Sequence, residues 1–255
     1  MQPILEFKNV SMAYHSMDGE IPAVSNISFE VSEGEFVAIV GPSGCGKSTI
    51  LNLISGLLKP ESGEILIKDS LIQDTTLPIG YMLQKDHLFE WRSVYRNILL
   101  GLEIKKRLEP EPLEKVERLI TDYGLKEFKQ VKPSQLSGGM RQRAALIRTL
   151  ALEPELLLLD EPFSALDYQT RLNVSDDIYN IIKKENKTAV LVTHDISEAI
   201  SIADRVIVLT RSPASIKKTI PIQLNITDRT PMKSRNAPEF KNLFNEIWKE
   251  LNQYG

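Results

Sequence analysis

The run Gly41-Pro42-Ser43-Gly44-Cys45-Gly46-Lys47-Ser48-Thr49 fits the pattern G-x-x-x-x-G-K-[ST] at every fixed position, and its residue types suit phosphate binding. Three glycines let backbone N–H groups curl around phosphate oxygens, Lys47 reaches toward β- and γ-phosphates, and the Ser48 hydroxyl can ligate Mg²⁺. Further along, Asp160 and Glu161 stand side by side behind Leu156-Leu157-Leu158-Leu159. Alternation along a strand separates two such carboxylates, so one can hold Mg²⁺ while the other polarises an attacking water. Gln84 ends the run Ile79-Gly80-Tyr81-Met82-Leu83 and is a candidate water or Mg²⁺ contact; His194 ends Ala189-Val190-Leu191-Val192-Thr193 and could donate to a γ-phosphate. Taken singly, a Gln or a His at a strand end also serves as an ordinary structural residue.

The surrounding pattern supplies elements to position these groups. Glu35-Phe36-Val37-Ala38-Ile39-Val40 reads as a buried strand, and Thr49-Ile50-Leu51-Asn52-Leu53-Ile54 has helical apolar spacing, so the phosphate loop joins strand to helix. The helix then offers its positive N-terminal end to the same anions. Ile4 to Val10 and Val24 to Val31 alternate apolar with polar residues, as half-buried antiparallel strands do. Between them, Tyr14 lies in a polar segment and either stacks on a purine or tucks against the sheet edge. From Val94 to Leu152 the pattern is helical. Val94, Ile98 and Leu102 share one face, and Leu113, Val116, Ile120 and Tyr123 share another before the Gly124 stop. Within it, Leu136-Ser137-Gly138-Gly139-Met140-Arg141-Gln142-Arg143 opens a helix; alone, Ser137-Gly138-Gly139 is a plain N-cap, although a helix start also attracts anions.

Composition bounds the rest. At 255 residues and 42% hydrophobic content the chain can bury a substantial core as one domain with subdomains. A net charge of −3 with interspersed signs gives no global field for nucleic acid, and no nucleic-acid partner is expected. No apolar run approaches the ~18 residues of a membrane span, and the N-terminal residues lack a secretory pattern, so a soluble cytoplasmic protein is expected. The single cysteine, Cys45, excludes internal disulfides and cysteine zinc sites.

The ordered spacing from the phosphate loop to Gln84, Leu136-Ser137-Gly138-Gly139, Asp160-Glu161 and His194 resembles the ABC transporter ATPases, over about residues 4–211. Ser164-Ala165-Leu166-Asp167 looks like that family's D-loop. The resemblance implies an α/β fold: a P-loop NTPase core with a mixed, mainly parallel sheet, an N-terminal antiparallel β-subdomain and an inserted helical subdomain at about 90–152. It implies ATP and Mg²⁺ as ligands, with Tyr14 on adenine, residues Gly41 to Thr49 on phosphate, and Ser48, Gln84 and Asp160 at the metal. It also implies Glu161 as general base, Gln84 and His194 as γ-phosphate sensors, and Ser137, Gly138 and Gly139 acting on a partner subunit's ATP. Glu35-Phe36-Val37-Ala38, Pro42-Ser43-Gly44-Cys45, Leu136 to Arg143 and Asp160 to Asp167 look more narrowly like the nitrate/sulfonate/taurine importer ATPases. Met140 and Glu90 depart from the commonest residues, a glutamine and a proline.

On that resemblance the chain energises an importer of a small, anionic solute from the cytoplasmic face of the membrane. Its partners are a second copy of itself in an ATP sandwich, integral membrane permease subunits and, indirectly, an extracytoplasmic substrate-binding protein. A soluble ABC-type switch is the competing reading, and the absence of a second cassette or a long coiled-coil insertion argues against it. Phe89, Trp91 and Tyr95 either contact the membrane subunit or pack the helical subdomain. In the tail, 212–255, Phe240, Leu243, Phe244, Ile247, Trp248 and Leu251 form one helical stripe over about 238–253, expected to dock on its own chain or a partner rather than on lipid. A short strand is expected at Ile220 to Leu224. Cys45, beside Lys47 and a helix N-terminus, is expected either to have a depressed pKa or merely to fit as a small residue.

Overall fold

Apolar runs without polar alternation belong to strands buried on both faces, and three such runs form the middle of the main sheet. The computed structural model describes residues 3–17, 19–75 and 77–252. The chain opens with a hairpin, β1 (Pro3–Ser16) and β2 (Gly19–Ser32), then enters β3 (Phe36–Val40) and α1 (Lys47–Ile54). β4 (Ser62–Ile67) and β5 (Ser70–Leu71) return to the hairpin, and β6 (Ile79–Met82) joins the main sheet. Next come α2 (Val94–Ile98), α3 (Leu100–Ile104), α4 (Pro110–Asp122), two 3-10 turns and α5 (Gly138–Leu150). The chain then alternates through β7 (Leu156–Asp160), α6 (Tyr168–Lys184), β8 (Thr188–Thr193), α7 (Ile196–Ile202) and β9 (Arg205–Leu209). β10 (Ile216–Pro221), α8 (Pro231–Arg235) and α9 (Phe240–Asn252) follow.

The main sheet has the order β10-β9-β3-β8-β7-β6 and is parallel except for β10. The smaller sheet, β2-β1-β4-β5, is antiparallel. Pleating divides the central strands between two cores. Phe36, Ala38 and Val40 face α2, α5, α6 and α7, whereas Val37 and Ile39 face α1 and the smaller sheet. α1 fully buries Ile50, Leu51, Leu53 and Ile54, each stabilising by about 1.5–3 kcal/mol, and this anchors the loop that precedes it.

Strand register does the positioning. Val40 lies opposite Thr193, Asp160 opposite Val192, and Met82 opposite Leu159. Parallel strands that end together deliver the residues following them to one edge, where open α/β sheets bind ligands. Gly41, Gln84, Asp160-Glu161 and His194 all follow or end these strands.

The helical segment buries Val94, Ile98 and Leu102 on one face and Val116 and Ile120 on another, and Gly124 stops α4 with φ 72°. Two boundaries differ from the sequence expectation. The hairpin strands extend through the polar stretch, with Ala13 paired to Pro22 and Tyr14 to Ile21. Backbone pairing and polar side-chain contacts, Tyr14 with Thr49 and His15 with Glu61, hold that end, so no apolar alternation marks it. β10 runs Ile216–Pro221 and not Ile220 to Leu224: it begins four residues earlier, where Lys217 to Thr219 are solvent-exposed on an edge strand and carry no apolar pattern, and it ends three residues earlier.

The tail docks on its own chain. Ile247 is fully buried, and Phe240, Leu243, Phe244 and Leu251 pack against the larger core, with α9 touching α7, β9 and β10. Trp248, expected in the same stripe, remains 55% exposed and stacks on Phe244. Arg229 ties the preceding segment to α7 by donating to the carbonyls of Ile200 at 2.9 Å and Ala203 at 2.7 Å.

Candidate active site

A loop that must wrap backbone amides around an anion needs left-handed turns, and Gly44 and Gly46 supply them at φ 73° and 119°. A Cβ at Gly46 would also meet Ala23 O at 2.6 Å, so only glycine fits between the loop and β2. Lys47, 7% exposed, donates from Nζ to Gly41 O and Pro42 O, both at 2.9 Å. Among the described residues no carboxylate forms an ion pair with it. A buried cation held by neutral carbonyls is costly without an anion, which a bound phosphate would supply. The loop opens onto a cavity of about 380 Å³ whose wall includes Ser43, Lys47, Ser48, Gln84, Asp160 and Glu161.

Beside this cavity three separate strand ends converge on one carboxylate oxygen. Oε2 of Glu161 lies 3.0 Å from Nδ1 of His194 and accepts from Nε2 of Gln84 at 3.3 Å. The Gln84 amide also donates to Ser164 Oγ at 3.3 Å. Glu161 turns out of β7 with φ 43°, a left-handed conformation that costs a side-chain-bearing residue of order 1–3 kcal/mol. Its backbone is fixed by its N–H to Val192 O at 2.9 Å and by Ser164, which donates to Glu161 O from both N and Oγ. Asp160 lines the same cavity. Burial raises its pKa, a hydrogen bond from Ser48 opposes the rise, and the neighbouring Glu161 charge adds to it. Ser48, Asp160 and Gln84 offer the oxygen atoms a hard dication prefers. Among the described residues no group of three His, Cys, Asp or Glu side chains forms a cage of its own.

A family profile described as ABC transporter matches residues 24–164. The chain belongs to the ABC transporter family. It is 44% identical over 97% of its length, and 95% of the other chain, to an uncharacterized ABC transporter ATP-binding protein of Bacillus subtilis. It is 39% identical, over 89% of this chain and 86% of the other, to the aliphatic sulfonates import ATP-binding protein of Bacillus licheniformis. Its fold resembles a dimeric ATP-binding cassette in a post-hydrolysis state bound to ADP and Pi, with a TM-score of 0.73 and 32% identity over 86% of this chain and 99% of that one. It is an ABC ATPase with the α/β P-loop architecture expected from sequence. Among its described residues no helix is long and apolar enough to cross a membrane.

Tyr14, half-exposed, sits on β1 with its hydroxyl 3.1 Å from Thr49 Oγ1, next to the phosphate loop. Ser137 caps α5, accepting from Met140 N at 3.3 Å; Ser137, Gly138 and Gly139 do not line the phosphate-loop cavity of their own chain. Met140, at the departing position, packs against the larger core. Glu90, the other departure, accepts from Ser134 N at 3.1 Å and so ties the Phe89 to Val94 segment to the residues just before Ser137. Trp91 is 73% exposed and stacks on Phe89 at 4.5 Å, whereas Tyr95 packs against the helical core. Cys45 corrects the expectation of a low pKa. It is buried, with Sγ toward Gly41, and burial pushes the thiol up more than the Lys47 charge and backbone hydrogen bonds bring it down. Tyr81, which the sequence reading treated only as a strand residue, hydrogen-bonds Asp160 and donates to Asn52 Oδ1 at 3.2 Å. Its place two residues before Leu83 in a strand aimed at the site was the available signal.

Proposed function

We propose that this ABC ATPase is the nucleotide-binding subunit of an importer for a small organic anion of the sulfonate or taurine kind, with Glu161 as the base of ATP hydrolysis. The carrying observation is the double anchoring of Glu161 Oε2 by His194 and Gln84 beside the phosphate-loop cavity. With Oε2 committed to those partners, Oε1 takes a proton from the attacking water, and Lys47 and the loop amides hold the phosphates against which it moves. Ser48, Asp160 and Gln84 would hold Mg²⁺, whose contribution when bound is to neutralise charge on the β- and γ-phosphate oxygens. The oxygen-only donor set and the raised Asp160 pKa, which a nearby dication would lower, support that assignment.

Ser137 to Gly139 stand apart from their own chain's cavity, which favours their acting on the ATP of a second copy in a C₂ pair. Dimeric neighbours such as the ADP-bound cassette support the same arrangement. Transport then requires integral membrane permease subunits, with this chain peripheral on the cytoplasmic face and an extracytoplasmic binding protein delivering solute. Similarity to a sulfonate import subunit supports the solute class.

Glu161→Gln tests the chemistry and the pairing together. Phosphate release should fall by roughly 10²-fold or more while Mg-ATP still binds, and the variant should elute as a dimer only with Mg-ATP. Lys47→Ala should abolish that ATP-dependent dimer. Wild-type turnover in Glu161→Gln would refute the base. Slow turnover with a monomer at high protein concentration would refute the sandwich alone.

A further inference from the structure

The loop from Glu161 to Asp167 is fastened to the His194 turn at both of its ends. At its start, Glu161 Oε2 meets His194 Nδ1 at 3.0 Å. At its far end, Leu166 O accepts from Nη2 of Arg171 at 3.1 Å. The same guanidinium faces the other side of the junction, with Nη1 3.5 Å from Asp195 Oδ2 and Nε 3.8 Å from Glu198 Oε1. Those two carboxylates belong to the turn that carries His194. Asp195 caps α7 by accepting from Ser197 N at 2.7 Å and Glu198 N at 3.2 Å. Thr193 Oγ1 donates to Glu198 Oε2 at 2.7 Å and accepts from Asp195 N at 3.0 Å, which fixes the backbone on both sides of the histidine.

We propose that Arg171 is a positioning residue for hydrolysis, holding the His194 turn in register with the Glu161–Asp167 loop so that imidazole and carboxylate meet. The inference rests on the roles given to Glu161 and His194 above. Arginine suits the task because its planar fork reaches a carbonyl on one element and the Asp195 carboxylate on another, with the Glu198 carboxyl beside it, whereas an ammonium is a point charge that serves one side at a time. Neither helix needs the guanidinium to form. α6 is capped by Asp167, which accepts from Thr170 N at 3.1 Å, and α7 is capped by Asp195. What the guanidinium adds is the link between them. A loss of that link lets the imidazole drift from Glu161, and small misplacements of a catalytic constellation cost rate more than binding.

The test is steady-state ATP hydrolysis by the full chain. Arg171→Met keeps the apolar stem and helix propensity, so kcat should fall roughly tenfold while KM for ATP stays within about twofold. Arg171→Lys should recover part of the loss. In a His194→Ala background, Arg171→Met should lower kcat no further, because the group it positions is gone. Unchanged kcat in Arg171→Met, or the same additional loss in both backgrounds, would overturn the proposal. Should Arg171→Met melt well below the parent, Arg171→Lys is read in its place with the same pair of backgrounds. Glu161→Gln is measured alongside: full turnover there brings down the base assignment and this inference together, whereas loss there with an unaffected Arg171→Met removes Arg171 alone.

Discussion

Nδ1 of His194 and Oε2 of Glu161 lie 3.0 Å apart although β8 and β7 bring them from different turns of the chain. On the proposed mechanism the pairing orients the carboxylate and leaves the proton transfer to Glu161. His194→Ala should therefore slow turnover by roughly tenfold or more, yet less than Glu161→Gln does, with Mg-ATP affinity kept by the phosphate loop. Single-turnover phosphate release for both variants at saturating ATP checks the order. Equal losses in the two would mean that histidine contributes more than orientation.

Cys45 should behave as an inert thiol. Its burial raises the pKa above the usual cysteine range, so the thiolate fraction at pH 7.5 is small and access is blocked. Maleimide labelling of the native chain should be slow with or without Mg-ATP and fast in urea. Rapid native labelling that ATP suppresses would show the loop opening to solvent.

Glu198 makes stability depend on pH. Burial is the main cause that pushes its carboxyl up to about 7; the neighbouring Asp195 adds to the rise, while the hydrogen bond from Thr193 and the Arg171 and His194 charges oppose it. A folded-state pKa above the ordinary carboxylate value means the folded chain holds a proton that the unfolded chain releases. The contribution is full below about pH 4.5 and is lost as pH rises through about 7, a change of about 3 kcal/mol. Glu198→Gln should remove that dependence. Urea denaturation at pH 5 and pH 8 should show a smaller difference between the two conditions in the variant than in the parent.

The tail should contribute to the stability of the ATPase body. Ile247 is fully buried among core residues, so Ile247→Ala should cost about 2–5 kcal/mol, while Trp248→Ala at a 55% exposed position should cost much less. Ending the chain before Pro238 should bare the core face that α9 covers and promote aggregation. Thermal melts of the two point variants separate docking from mere presence: comparable melting temperatures would mean that α9 does not hold that face.

The sequence by itself determined the phosphate loop between strand and helix, the identity of the residues at the strand ends, and the alternation of strands with helices. These are local properties: fixed glycines, runs of Leu, Val and Ile, and helical spacing are legible within a dozen residues. Tertiary structure decided which of those residues meet. Gln84 and Glu161 are 77 positions apart, and Tyr14 and Thr49 are 35 apart, so their contacts depend on strand register and on where the hairpin crosses α1. The same holds for Cys45, where proximity to Lys47 in sequence suggested activation but burial beneath the loop reversed the sign. Arg171 carried no sequence signal at all beyond its place one turn after Asp167, because its partners Leu166, Asp195 and Glu198 come together only when α6 packs beside the His194 turn. Local pattern encodes secondary structure and the ends of strands; long-range pairing and pleat direction, which no short window contains, encode the site.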